Sequence, residues 1–381
     1  MGMRPYLPLL VFAWAPFAGA QAKYHVVDLY NDVHTNGVAA IDVNDLGQVL
    51  LTDKSSTSYL WNSAGSFLEI KGEGHGTQAF GLNNLGEVCG AGNSNGSTQS
   101  FVFSAETGLQ FLGQCNSYLI NVANNLNDNS DVVGFATSDG KPHPVKWSPS
   151  TGWSDLSGPP PLDKGGFLDI NGSGVISGSY RAPSDNLIHT ICYTPGVGIE
   201  DLGMPQGMNS WQGDRINAAG VIGGSMNRIG DAAQIGFLLS PNGALTQLLD
   251  PAQQFNNSDV AGLSKDGTAV GYINRPAQYG GLGGYVYNAA YGIVDIDTLK
   301  DEASSAYRIG VCSGISDHTG MIVAEAKLDG VSRQVLLVPV VPEPPSWLLL
   351  TGTLAIVAAR RRKTRRARMS PRQPSGSSVQ D

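Results

Sequence analysis

Short runs of aliphatic and aromatic residues, separated by Gly, Asn and Ser, fill the chain from residue 24 to 339. That spacing predicts short β-strands joined by tight turns. The runs recur as degenerate copies of one unit. An aliphatic residue precedes Asn or Ser, two variable residues follow, then Gly and a second aliphatic run. The copies are Val43-Asn44-Asp45-Leu46-Gly47, Leu82-Asn83-Asn84-Leu85-Gly86, Leu126-Asn127-Asp128-Asn129-Ser130, Ile170-Asn171-Gly172-Ser173-Gly174, Ile216-Asn217-Ala218-Ala219-Gly220, Leu263-Ser264-Lys265-Asp266-Gly267 and Ile315-Ser316-Asp317-His318-Thr319-Gly320. Successive Asn or Ser positions lie 39, 44, 44, 46, 47 and 52 residues apart. Asn or Ser bonds the backbone ahead of it, and the late Gly supplies positive φ, so the signature is a hairpin turn.

An aromatic-rich strand follows in six units, as in Tyr59-Leu60-Trp61 and Phe101-Val102-Phe103, and then a fourth strand, as in 67–70 and 199–202. Four strands per unit of this length predict an all-β, seven-unit β-propeller-like domain over 23–340. The seventh unit stops at its third strand, 334–338, whereas Val26-Val27-Asp28-Leu29 resembles the fourth strand of other units. The N-terminal strand is therefore expected to close the last blade and remove the exposed edges. An open β-solenoid is the competing architecture.

The two ends read as addresses. Residues 1–22 carry one early charge, Arg4, an apolar stretch broken by Pro8 and Pro16, and small residues at Ala18, Ala20 and Ala22. This is the layout of a secretory signal peptide cleaved after Ala20 or Ala22, with an uncleaved N-terminal anchor as the alternative. At the other end, Val341-Pro342-Glu343-Pro344 leads into an apolar run, 347–359, that stops at Arg360-Arg361-Arg362-Lys363. Thirteen residues make about 20 Å of helix, short against a hydrocarbon core of about 30 Å. The order of parts over 341–363 resembles the PEP-CTERM sorting signal of Gram-negative bacteria that make extracellular polysaccharide. The resemblance implies export, transient retention at the inner membrane by a short C-terminal hydrophobic helix, and processing near Pro342-Glu343-Pro344 by an exosortase. The family's tail usually ends soon after the basic cluster, whereas here a basic segment continues over 364–381. An ordinary C-terminal membrane anchor is the alternative. The repeats resemble the HAF-type extracellular repeats, most closely at Asp201-Leu202-Gly203, Ile216-Asn217, Gly220 and Gly224. That resemblance implies a surface-exposed β-repeat domain and no established chemistry.

Composition narrows the partners. The net charge is −8, but the tail from Arg360 holds eight basic residues and one acid. Apart from that tail and Arg4, 15 basic residues face 31 acidic ones, a net charge of −16. Such a surface repels nucleic acid phosphates. The four cysteines, Cys89, Cys115, Cys192 and Cys312, have no metal-ligand spacing. Three disulfide pairings are open, with Cys89 and Cys115 sharing one unit, and four buried thiols are the other reading.

No catalytic motif stands out. His25, His34, His75, His143, His189 and His318 fall far apart, each expected to be exposed or satisfied. Asn127-Asp128-Asn129-Ser130-Asp131 is rich in oxygen ligands but lacks the glycine and distant glutamate of a calcium loop. No metal ligand and no cofactor is therefore assigned, although a body this acidic admits weak Ca²⁺ binding. Gly280-Gly281-Leu282-Gly283-Gly284 reads as a flexible loop. The function expected is non-catalytic binding or scaffolding in the exopolysaccharide matrix, with Trp153 and Trp211 as candidate sugar platforms, although packing is the favoured role of each. The alternative is a polysaccharide hydrolase or lyase with its acids on the central face of the propeller.

Overall fold

The computed structural model describes residues 22–29, 38–63, 65–71, 76–137, 140–158, 165–231, 233–249, 257–275 and 281–340. Residues 1–340 form one compact unit. The regular secondary structure of the described residues is almost entirely strand, in four-stranded antiparallel meanders. The first after the N-terminal strand comprises β2 (Ala39–Val43), β3 (Val49–Thr52), β4 (Ser58–Trp61) and β5 (Phe67–Ile70). The next are β6 (Thr77–Leu82) to β9 (Gly108–Phe111), and β10 (Ile120–Leu126), β11 (Val132–Thr137), β12 (His143–Ser148) and β13 (Gly152–Asp155). Then come β14 (Gly165–Ile170), β15 (Ile176–Arg181), β16 (Ile188–Thr194) and β17 (Gly198–Asp201), followed by β18 (Met208–Ile216) to β21 (Leu245–Leu248). These two meanders are joined by a single parallel pair, Ile188 with Ser210. The sixth set is β22 (Gly262–Leu263) to β25 (Gly292–Asp295). The last sheet runs β26 (Arg308–Ile315), β27 (Ile322–Leu328) and β28 (Val331–Val340), and its outer strand is β1 (Lys23–Asp28) from the other end of the chain.

That closure follows the sequence expectation. Val26 pairs with Leu337 and Asp28 with Val335 in an antiparallel ladder. Tyr24 and Val26 join Ile309, Ile322 and Val335 in one apolar cluster. The last meander also bonds to the first: Ser313 Oγ donates to the Ala40 carbonyl at 2.7 Å, and the Ala40 N–H donates to Gln334 Oε1 at 2.9 Å. An open solenoid would leave these partners at opposite ends. Two short 3-10 turns, Ile296–Leu299 and Glu302–Ser304, were not legible in the sequence. They pack beside β1, where the Asp301 N–H donates to the Tyr24 carbonyl at 2.9 Å.

The signature turns have two functions. Each Asn side-chain oxygen accepts the N–H groups two and four residues ahead, as Asn127 does from Asn129 and Asp131 at 3.0 and 3.1 Å. Its amide nitrogen then reaches into the next meander. Asn44 donates to the Asn83 carbonyl, Asn83 to Asn127, Asn127 to Asn171, Asn171 to Asn217 and Asn217 to Ser264, all at 2.9–3.1 Å. The late Gly has positive φ as expected, +78° at Gly86, and Ser130 adopts the same conformation at 61°. Ser264 and Ser316 are too short to continue the chain of amides. The junction from Ser316 to Asn44 is held instead by Asp45, which accepts from the His318 N–H at 2.7 Å and meets His318 Nδ1 at 2.6 Å.

No helix among the described residues is long and apolar enough to cross a membrane. The apolar run 347–359 and its expected helix lie outside the described residues. Cys89, Cys115, Cys192 and Cys312 are free thiols in four different apolar clusters, so the Cys89–Cys115 pairing is not formed.

Asn127→Ala removes three hydrogen bonds, one buried and two part-buried, and is expected to destabilise the fold by about 2–4 kcal/mol. Ser264→Asn supplies the missing amide opposite the Ser316 carbonyl and is expected to stabilise it by about 1 kcal/mol. Urea denaturation of both variants checks this, and equal, near-zero shifts would remove the amide chain from the account of stability.

Candidate functional site

In an antiparallel meander the first and third turns lie at one end of the sheet, and the second turn and the link to the next meander lie at the other. The amide chain therefore closes one end of the inner strands with tight turns. The longer connections, such as 182–187 between β15 and β16 and 202–207 between β17 and β18, lie at the opposite end by the same rule. The inner strands β2, β6, β10, β14, β18, β22 and β26 surround a cavity of about 180 Å³ at the amide-chain end.

The position two residues before the signature Asn or Ser lines this cavity in six units, at Asp42, Asn125, Asp169, Arg215, Gly262 and Gly314, and Gly81 holds the same place in the remaining unit. A β-bulge just before this position shifts the register in most of the inner strands, for example between Phe167 and Asp169 and between Gly213 and Arg215. A bulge re-aims the side chain that follows it. The glycines make room for their neighbours. A Cβ on Gly81 would collide with Asn125 Oδ1, and one on Gly314 would lie 2.8 Å from Asp42 Oδ1. Asn125 donates to Asp169 Oδ1 at 2.7 Å, and Asp169 Oδ2 accepts the Ile216 N–H at 2.8 Å. Arg215 Nε donates to the Ala261 carbonyl at 2.7 Å.

One guanidinium thus serves several carboxyls. Burial pushes Asp42 up to about 7, with the charge of Arg215 acting against it. Burial likewise raises Asp169 to about 6, opposed by Arg215 and by backbone N–H donors. Asp214, the bulge residue beside Arg215, is raised to about 7 by burial, and neighbouring Asp259 adds to the shift against Arg215. Asp259 is itself raised by burial. Its Oδ1 is enclosed and has no hydrogen-bond partner. Asp317, at the rim of the cavity, is raised to about 6 by burial and by Asp45. Sequence reading did not name these acids, because the bulge that gathers them has no residue signature.

The residues that were named are distributed differently. His25 pairs with Asp301 at 2.8 Å and His318 with Asp45, both at the surface. His143 stacks on Tyr118 with ring centres 5.0 Å apart. His189 is buried between Asp185 at 3.0 Å and Asp201 at 2.9 Å, and Tyr180 donates to Asp201 at 2.6 Å. Burial lowers the His189 pKa, but the two carboxylates outweigh it and the net shift is upward. His34 and His75 lie outside the described residues. In the oxygen-rich turn, Asn127 serves the amide chain, Asp128 accepts from Asn84, and Asp131 pairs with Lys146 at 2.7 Å. Among the described residues no group of three His, Cys, Asp or Glu is arranged to hold a metal.

The flexible-loop expectation for the glycine run is corrected, whereas the tryptophans take the favoured packing role. Trp211 is 3% exposed, packs on Phe237 and donates to the Gly203 carbonyl at 2.6 Å. Trp153 is half-buried and donates to the Leu112 carbonyl at 3.0 Å. Both are packing residues rather than sugar platforms, because their polar edges are held inside. In the glycine run, Leu282 to Gly284 belong to β24 (Leu282–Asn288), where Gly283 admits the Arg275 guanidinium. Ala22 packs against the cluster that holds Tyr24 and Val26. Ala20, Val341, Pro342, Glu343, Pro344, Arg360, Arg361, Arg362 and Lys363 lie outside the described residues.

The architecture is that of the propeller-type all-β proteins. The chain is similar in structure to virginiamycin B lyase from Staphylococcus aureus, with a TM-score of 0.50 and 12% identity, covering 84% of this chain and 100% of that one. It also aligns with a gluconolactonase of Xanthomonas campestris at TM-score 0.42 and 9% identity, covering 83% and 90%, and with the Dos1 propeller at 0.41 and 10%, covering 82% and 95%. At such identities the likeness concerns the fold alone. No protein-family model matches the chain, and no curated protein matches it.

The raised carboxyls set the pH dependence. A carboxyl whose pKa is higher in the fold than in the unfolded chain favours folding while it holds its proton, and that contribution is lost as pH rises through the folded value. His189, raised by its carboxylates, changes stability in the same direction. The melting temperature is therefore expected to fall between pH 5 and pH 8, and Asp42→Asn is expected to flatten that slope. A slope unchanged in Asp42→Asn would remove Asp42 from the titrating set.

Proposed function

We propose that this chain is an exported, seven-bladed propeller that binds polysaccharide at the cell surface or in the surrounding matrix without reacting with it. The observation that carries this reading is the contrast between the two ends of the inner strands. One end is sealed by tight turns and the amide chain, and its carboxyls are largely engaged: Asp169 by Asn125 and two backbone N–H groups, Asp42 by the Val43 N–H. The opposite end carries an open groove. The terminal segments support export. Residues 1–22 have the layout of a signal peptide, and Val341-Pro342-Glu343-Pro344, the apolar run and Arg360-Arg361-Arg362-Lys363 form a unit suited to transient membrane retention and exosortase-type processing. Proline at 342 and 344 favours an extended segment, which suits a protease groove.

Intact mass of the protein released from host cells tests the address. A species ending near Pro344 and beginning near Gln21 or Lys23 is expected, and Glu343→Ala is expected to retain the tail. Release of Glu343→Ala with wild-type mass would exclude the processing motif. Co-sedimentation of the released protein with the host's exopolysaccharide tests the binding half, and recovery entirely in the supernatant would exclude it.

A second reading, a hydrolase or lyase acting from the centre of the propeller, is favoured by one observation. Asp214, raised to about 7 by burial, lies on inner strand β18 beside Asp259, whose Oδ1 has no partner among the described residues. General acid–base chemistry needs such a pair. On this reading Asp214→Asn abolishes depolymerisation of the host polysaccharide by a folded protein. Absence of any depolymerisation by wild type would discard it.

A further inference from the structure

A groove of about 390 Å³ opens over β14, within the size range of small-molecule sites. Three adjacent meanders line it. Phe135 and Ile188 provide apolar walls, Ser179 and Gln212 provide polar groups, and Arg181 is the one charged residue among the described residues that line it. Neither the Ser179 hydroxyl nor the Gln212 amide makes a hydrogen bond to another described residue. Arg181 is exposed and uses Nη1 on the Asn186 carbonyl at 2.6 Å, and the rest of its guanidinium bonds no described residue. Asp185, the acid nearest in sequence, is held by His189, and Asp201 is held by His189 and Tyr180.

The floor of the groove is Gly165-Gly166, and the two glycines differ. A Cβ on Gly165 would approach Tyr180 Cβ to 2.7 Å, so packing requires that glycine. A Cβ on Gly166 would meet only Phe135, at 3.6 and 3.8 Å, an ordinary contact. Neither packing nor backbone conformation calls for glycine at 166. Its effect is to keep the groove open.

We infer that this groove binds an acidic sugar, a hexuronate unit of a polysaccharide. The inference rests on the polysaccharide-binding reading and names the ligand class. Phe135 and Ile188 face the C–H surface of the sugar ring, Gln212 and Ser179 bond its hydroxyls, and Arg181 pairs with its carboxylate by charge-assisted hydrogen bonds. The rest of the body, at a net −16, repels a polyanion. A groove whose described lining holds one arginine and no carboxylate is where such a polymer can approach.

The test is equilibrium binding of the full chain to trigalacturonate and to its carboxyl-reduced counterpart, trigalactose. Wild type is expected to prefer trigalacturonate. Arg181→Gln is expected to weaken that binding tenfold or more and leave trigalactose unchanged. Gly166→Val, which fills the groove, is expected to abolish both while keeping the wild-type melting temperature. If Gly166→Val does not fold, Gln212→Ala takes its place, with at least a fivefold loss expected. Undiminished binding by a folded groove variant overturns the site. Equal affinity for both trisaccharides, insensitive to Arg181→Gln, overturns the acidic ligand. A wild type that ignores trigalacturonate yet co-sediments with host polysaccharide overturns this inference and leaves the broader reading standing. Failure of both binding assays overturns both.

Discussion

The structure depends on one repeated contact, an asparagine amide donating to the backbone carbonyl of the next turn. Each such asparagine is buried, so an unmade bond would leave polar groups stranded away from water. The same side chain shapes its own turn through its oxygen and fixes the neighbouring meander through its nitrogen. Local hairpin geometry and the placement of neighbours are thereby set by one residue. Where the asparagine is replaced by Ser264 or Ser316, the turn survives, because a hydroxyl bonds its own backbone: Ser316 Oγ accepts from Met321 at 2.9 Å. The longer reach is lost, and other contacts join those meanders: His318 with Asp45 at one junction, and Cys312 packed with Val286 and Ile309 at the other.

The contact also explains why the hairpins were legible and the cavity was not. A turn with Asn at its start and Gly at its end has a local signature, since the conformation of five residues sets it. Ser130 in place of Gly did not hide the third copy, because Ser130 adopts the same positive φ with its hydroxyl on Glu87 at 2.7 Å. The closing strand was legible because Val26-Val27-Asp28-Leu29 carries the pattern of an outer strand that the last unit lacks. The bulge has no comparable signature. Without it, period-2 alternation would not predict that Asp42, Asp169 and Arg215 share a layer. The tryptophans are packing residues, the role the sequence favoured, and a single unit could not settle it because their exposure depends on the neighbouring meander.

Sealing one end of the inner strands divides the labour within the fold. Tight five-residue turns leave little freedom to vary length, whereas the opposite end tolerates insertions without disturbing the amide chain. Spacing between signature positions grows from 39 to 52 residues while the turns stay nearly constant. The added length therefore lies in the connections, and a binding surface can change there at small cost to stability.

The cavity layer shows how far that division extends. If these positions served packing alone, a repeat would be expected to fill them alike. They hold Asp, Gly, Asn, Asp, Arg, Gly and Gly, and the large groups lean over the small ones. With one guanidinium among several carboxyls, not all of the acids can be ionised together in so enclosed a place. Asp42 and Asp169 resolve this through backbone donors and shifted protonation, a structural solution. Asp259 does not, because its Oδ1 is enclosed without a donor. A single unsatisfied oxygen is small evidence for chemistry, and the satisfied carboxyls around it are evidence against, which is why binding at the open end ranks above reaction at the centre.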